Sequence, residues 1–174
     1  MKEAPLCVVA YDRDERPDSV LAEVARRLEA AGARVRGLLQ EGEPGDASCC
    51  ASLFLHDIGT GRRVEVFERR GANARGCRLD PSGLAEAAGW LREAIASCPD
   101  ILFINRFGRQ EADGRGLLDE IASAVMADIP VVIAVSAMLL PAWRAYAGDD
   151  AAVIALDAER LEVWCLDVLR QPAA

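Results

Sequence analysis

Apolar positions fall along this chain in two kinds of pattern. Unbroken short runs, Leu6–Ala10, Ile101–Ile104 and Pro130–Val135, predict strands buried on both faces of a parallel sheet. Val35–Gln40 and Val153–Leu156 predict two further strands. Between the runs, apolar residues recur at helical spacing, as Val20, Leu21, Val24, Leu28 and as Leu84, Ala88, Leu91, Ile95. Leu117, Leu118, Ile121, Val125 and then Leu161, Trp164, Cys165, Val168 repeat the pattern, and Leu139–Ala147 predicts a short helix carrying Trp143. Strands alternating with helices give a three-layer α/β domain with a mostly parallel sheet of about five strands. Its βαβ crossover is right-handed.

Polar residues punctuate these elements. Tyr11–Pro17 is a charged loop, Asp18 or Ser19 can cap the first helix, and Gly32 can end it. Residues 41–51, rich in Gly, Pro, Asp and Ser, read as a loop. Ser52–Asp57 and Arg63–Phe67 flank Gly59-Thr60-Gly61, which predicts an antiparallel β-hairpin insertion at about residues 50–68. Arg69–Arg78 has no period and reads as a loop. Asp80 can cap a helix with Pro81 at its first position, and Asp157 can cap the last one. With no internal repeat and no linker, residues 1–174 form a single α/β domain.

Asp100–Gly116 organises the rest. Its apolar half stops at Asn105-Arg106-Phe107-Gly108-Arg109, read as a polar turn, and Gly114-Arg115-Gly116 leads into the next helix. A strand–loop–helix order puts this loop at the carboxyl edge of the sheet, where open α/β folds bind ligands. Tyr11 also follows an apolar run directly. Asn105 and Tyr11 are therefore expected at one edge, on adjacent or next-nearest parallel strands, facing a shared crevice.

Composition narrows the function. With 52% hydrophobic and 28% charged residues in 174, the chain suits one globular domain. A net charge of −8 argues against a general binder of nucleic acid or anionic membranes. Ile129–Trp143, the longest apolar stretch, is broken by Pro130, Ser136 and Pro141 and is too short to span a bilayer. The N-terminus lacks the basic and apolar regions of a secretory signal, so a cytoplasmic location is expected. No CxxC pair occurs among Cys7, Cys49, Cys50, Cys77, Cys98 and Cys165, and His56 is the lone histidine. An ordinary Cys/His metal site is not expected, and Cys7 and Cys165 read as buried thiols. Lys2 is the only lysine, so cationic chemistry inside the fold falls to arginine or to backbone N–H groups. Arg62–Arg78 carries +4 against −12 for the remainder, as a solvated hairpin or a local anion site would.

The first loop, Tyr11–Ser19, has neither the glycines nor the lysine of a phosphate-cradling loop. Three acidic residues before Pro17 would repel a triphosphate unless a metal intervened, for which Asp12, Asp14, Glu15 and Asp18 are hard oxygen ligands. Asp12, Asp18 and Ser19 are the candidate cofactor-binding residues, with the cofactor unassigned. A solvated loop with a helix cap is the alternative.

The order of elements resembles that of small P-loop nucleoside-triphosphatases known from thermophiles. At their acidic Walker B segment, Gly108 and Glu111 match, whereas Asn105 and Arg106 replace the acidic pair, so intact Walker motifs are lacking. Gly76-Cys77-Arg78-Leu79-Asp80 and Asn105–Glu111 with Gly114-Arg115-Gly116 resemble an uncharacterised bacterial domain family often encoded beside molybdate-transport genes. That resemblance covers nearly the whole chain and implies a link to molybdenum.

Arginine is a planar multi-donor suited to oxyanions. Arg75, Arg78, Arg106, Arg109 and Arg115 are the candidate ligand-binding residues with Asn105, and Asp80 and Glu111 could orient them. Helix N-termini near Pro81 and Arg115 could add N–H groups. Alternatively, Asp80 is only a cap and Glu111–Arg115 a helix-surface pair. Two functions follow. One is a non-hydrolytic binding or accessory protein for an oxyanion or phosphorylated small molecule (molybdate, sulfate or a phosphate ester). The other is a divergent P-loop-like nucleotide hydrolase or transferase. Neither reading involves nucleic acid or a membrane, both allow a homo-oligomer, and no catalytic residue is assigned.

Overall fold

The computed structural model describes residues 5–42, 53–68 and 78–170, with only the backbone at 68 and 78. Five strands of the sheet run parallel: β1 (Leu6–Tyr11), β2 (Val35–Gly42), β7 (Ile101–Phe107), β8 (Val131–Ser136) and β9 (Ala152–Ala155). The hairpin strands β3 (Leu53–Asp57) and β4 (Arg63–Glu65) continue it antiparallel from β2, giving the order β4-β3-β2-β7-β8-β1-β9. The sheet is thus mixed and seven-stranded. The hairpin expected as an insertion is part of it, because β2 runs on to Gly42 and offers its free edge to β3. A separate two-stranded sheet joins β5 (Phe67–Glu68) to β6 (Arg78–Leu79). The loop expected over 69–78 otherwise lies outside the described residues, as do Cys49, Cys50 and Cys77.

Strand alternation fills two cores. Leu102 and Ile104 of β7 join Ile133 and Val135 of β8 under α2 (Pro81–Ala96), α4 (Leu118–Met126) and α5 (Leu140–Ala147). Ile101 and Phe103 join Val9, Val132 and Ala134 under α1 (Pro17–Ala30) and α6 (Ala158–Leu169). Each fully buried Leu, Ile or Phe contributes roughly 1.5–3 kcal/mol. Cys7 and Cys165 are both fully buried in this second core.

Several helix boundaries depart from expectation for local reasons. Pro17 takes the first position of α1, where its missing N–H costs nothing, so Arg16 is the N-cap residue and neither Asp18 nor Ser19 is. Asp80 and Asp157 do cap α2 and α6 through their carboxylates. The helix expected to begin near Arg115 begins at Leu118, because residues 109–112 form a separate short turn, α3, and Gly114 and Gly116 both take positive φ.

Candidate functional site

The site is built where β7 changes register. Leu102, Phe103 and Ile104 pair in step with Val131, Val132 and Ile133, and then Phe107 pairs with Val135. One extra residue has entered β7, a bulge that reverses which side successive residues face. Phe107 therefore occupies the α2/α4 core, edge-on to Trp143 at 5.2 Å between ring centroids. Asn105 and Arg106 are both left for the opposite, α1 side. The polar turn expected from Asn105 is strand as far as Phe107. The Asn105–Arg106 peptide is cis.

Both side chains meet a single atom. Asn105 Nδ2 donates to Asp18 Oδ1 at 2.6 Å, and Arg106 Nη2 donates to the same oxygen at 2.9 Å. Arg106 Nη1 donates to the hydroxyl of Tyr11 at 3.0 Å, with the guanidinium 5.2 Å from that ring's centroid. Tyr11 ends β1 and Arg106 lies near the end of β7, with β8 between them. The expectation that Tyr11 and Asn105 lie at one carboxyl edge on next-nearest parallel strands agrees with this geometry. Tyr11 was not a predicted site residue. Its signal was weak: an aromatic hydroxyl closing the run Leu6–Ala10.

Two polar atoms of the cluster are buried without a hydrogen-bond partner among the described residues, Asn105 Oδ1 and Arg106 Nε. Asn105 is 1% exposed. Its amide orientation is fixed by chemistry, because an ionised carboxylate only accepts, so the NH2 must face Asp18 and the carbonyl oxygen turns away. Beside Asp18, an open groove of about 750 Å³ runs between α1 and strands β2 and β3, with Arg16, Ser19, Arg26, Gln40 and His56 along it.

The other candidates take different positions. Asp12 is exposed, and its backbone N–H donates to Glu15 Oε2 at 2.6 Å. Ser19 Oγ donates to the Arg16 carbonyl at 3.5 Å. Arg109 is exposed, and exposed Arg115 pairs with Asp113 at 3.4 Å. Buried Glu111 accepts from the N–H groups of Gly108 and Leu117 at 2.9 and 3.0 Å, holding the 108–117 loop closed. Asp80 accepts from Ser82 and Gly83 N–H. Arg75 and the Arg78 side chain lie outside the described residues. Of the predicted residues, then, the structure joins Asp18, Asn105 and Arg106. Among the described residues, no group of three or more His, Cys, Asp or Glu is placed to hold a metal ion. None of the helices among them is long and apolar enough to cross a membrane.

Known structures share this architecture. A human cancer-related nucleoside triphosphatase superimposes with a TM-score of 0.66 at 14% identity, covering 95% of this chain and 96% of that one. THEP1 from the hyperthermophile Aquifex aeolicus gives 0.60 at 16%, covering 95% and 99%. The fold is the P-loop-NTPase-like α/β fold that the element order implied. In sequence, the chain is 34% identical over 162 residues to the molybdenum import ATP-binding protein ModC 2 of Bradyrhizobium diazoefficiens. That match takes in 93% of this chain and spans only 18% of the relative's length. A family model matches residues 6–164, and the chain belongs to that family, described as a protein of unknown function, DUF2478.

Proposed function

We propose that this chain binds a small anionic ligand, an oxyanion or a phosphorylated small molecule, at the carboxyl edge of β1 and β7 and does not hydrolyse it. The supporting observation is the pair of buried, unpartnered atoms Asn105 Oδ1 and Arg106 Nε, lying at the edge where this class of fold takes its ligands. Arg106 supplies the charge. Its Nη2 donor and the Asn105 NH2 now rest on the Asp18 carboxylate, an internal anion on the donors that a ligand's oxygens would share.

The first loop speaks against triphosphate hydrolysis. Cradling a phosphate calls for free backbone N–H groups and a lysine. Here the Asp12 N–H already serves the chain's own Glu15 carboxylate, and no lysine follows Lys2. The likeness to a relative named for molybdenum import favours a role in molybdenum handling. A cytoplasmic location fits that role.

The second reading is a divergent nucleotide hydrolase or transferase, favoured by the fold shared with a human nucleoside triphosphatase. One experiment separates them: thermal unfolding of the purified chain with phosphate, sulfate or molybdate, alongside magnesium-dependent ATP and GTP hydrolysis. The expected result is an anion-dependent rise in melting temperature, by mass action on the native state, and no turnover above background. Arg106→Ala should remove the rise. Turnover that vanishes in Asp12→Ala or Asp18→Ala would establish the second reading. No shift with any anion would end the first.

A further inference from the structure

We propose that the open groove beside α1 is a second ligand site, one that takes an organic anion with an apolar body rather than a bare oxyanion. Neither Asn105 nor Arg106 lines this groove, so the inference stands apart from the ligand edge proposed above.

Size and lining set one half of the ligand. The groove measures about 750 Å³. Sites of roughly 300–1,000 Å³ enclose whole organic molecules, whereas a tetrahedral oxyanion would occupy one corner. Its base is apolar. Ala25 and Leu39 are buried, Ile58 is half-buried, and exposed Ala22 carries too short a side chain to cover them. Apolar surface of this kind gains free energy when another apolar surface displaces its water, and a bare oxyanion offers none.

Charge sets the other half. Arg16, Arg26 and Arg63 line the groove with Asp18, Glu29 and Glu41. Asp18 is already neutralised from outside the groove, by Arg106 at 2.9 Å. Glu41 is held by Arg63 at 3.4 Å, with His56 3.8 Å away. Arg16 and Arg26 therefore stand against Glu29 alone. Arg16 donates to the Glu15 carbonyl at 3.4 Å, and Arg26 makes no hydrogen bond or ion pair among the described residues. This local cationic excess, on a chain of net charge −8, favours an acidic group, which a guanidinium grips through paired N–H donors. Arg26 holds that group, and the apolar body lies along Ala22, Ala25 and Leu39.

The test is fluorescence titration of the full chain with anilinonaphthalene sulfonate, beside phenylnaphthylamine, which has the same rings without the sulfonate. The sulfonate probe should bind the wild type at least about tenfold more tightly than the neutral one. Arg26→Ala, at an exposed position, should remove that advantage and leave the neutral probe unmoved. Ala22→Trp, also at an exposed position, fills the groove and should abolish the fluorescence rise of both. Circular dichroism confirms that each variant is folded. Inorganic sulfate, at matched ionic strength, should leave the sulfonate probe in place. If sulfate displaces it, or the neutral probe binds as tightly, the groove takes another class of ligand and the proposal is overturned. Binding unaltered in both variants, or no fluorescence rise in the wild type, overturns it as well. The edge is read separately, by Arg106→Ala and the thermal shift with inorganic anions, so either site can fail alone.

Discussion

The carboxylate of Glu111 fills the space that a β-carbon on Gly116 would take. Gly116 adopts φ +72°, and the loop it ends is fastened by Glu111 through the N–H groups of Gly108 and Leu117. Loop and carboxylate are thus one device, and the chemistry that made Glu111 look like a ligand residue serves the backbone.

Removing either part should therefore cost stability. Glu111→Ala strands two N–H groups, and a stranded buried donor costs about 1–3 kcal/mol. Gly116→Ala adds the left-handed backbone penalty of roughly 1–2 kcal/mol to the displacement of Glu111. Urea denaturation should place both variants well below wild type, with Glu111→Gln between. A Glu111→Ala midpoint equal to wild type would show that the loop closes without it.

Gly37 should tolerate even less. It lies in β2 opposite Phe103 with φ +128°, and a β-carbon there would run into the Phe103 backbone carbonyl. Backbone in the middle of a sheet cannot give way as a flexible side chain can. Gly37→Ala is expected to yield little folded protein. Gly32→Ala, with φ +94° and nothing within 4 Å of the added carbon, should fold and lose only the backbone term. Soluble yield and melting temperature of the two variants check the contrast.

The buried thiols predict an alkaline limit. Burial pushes the Cys7 thiol up to about 12 from 9.0, and Cys165 is raised by burial too. A raised folded-state value means that the unfolded chain loses its thiol protons first as pH climbs. The stabilisation is complete below about 9 and declines from there toward 12, by up to about 1.4 kcal/mol per thiol for each pH unit. Denaturation between pH 8 and 11 should show this slope, and a Cys7→Ala, Cys165→Ala double variant should flatten it while being less stable at neutral pH.

The sequence made strands and helices legible wherever burial was two-sided or periodic: the runs of β1, β7 and β8, and the caps Asp80 and Asp157, each before a helix that its carboxylate holds. It could not show the bulge in β7. A bulge adds one residue without changing local polarity, so Asn105-Arg106-Phe107 read as the start of a turn, although Phe107 is fully buried. Asp18 looked like a cap because carboxylates at helix starts usually are. Its true partners, Asn105 and Arg106, lie 87 and 88 residues away. Pairings across that separation have no local signature.

The first turn of α1 inherits an unusual dependence from this arrangement. Arg16 makes no side-chain cap bond, and Asp18, the acidic residue of the first turn, is committed to another strand. The first turn of the helix is therefore tied to β7 through the Asp18 side chain. Whatever draws Arg106 and Asn105 off Asp18 slackens that turn, so deuterium uptake at residues 18–20 becomes a gauge of how the edge is occupied.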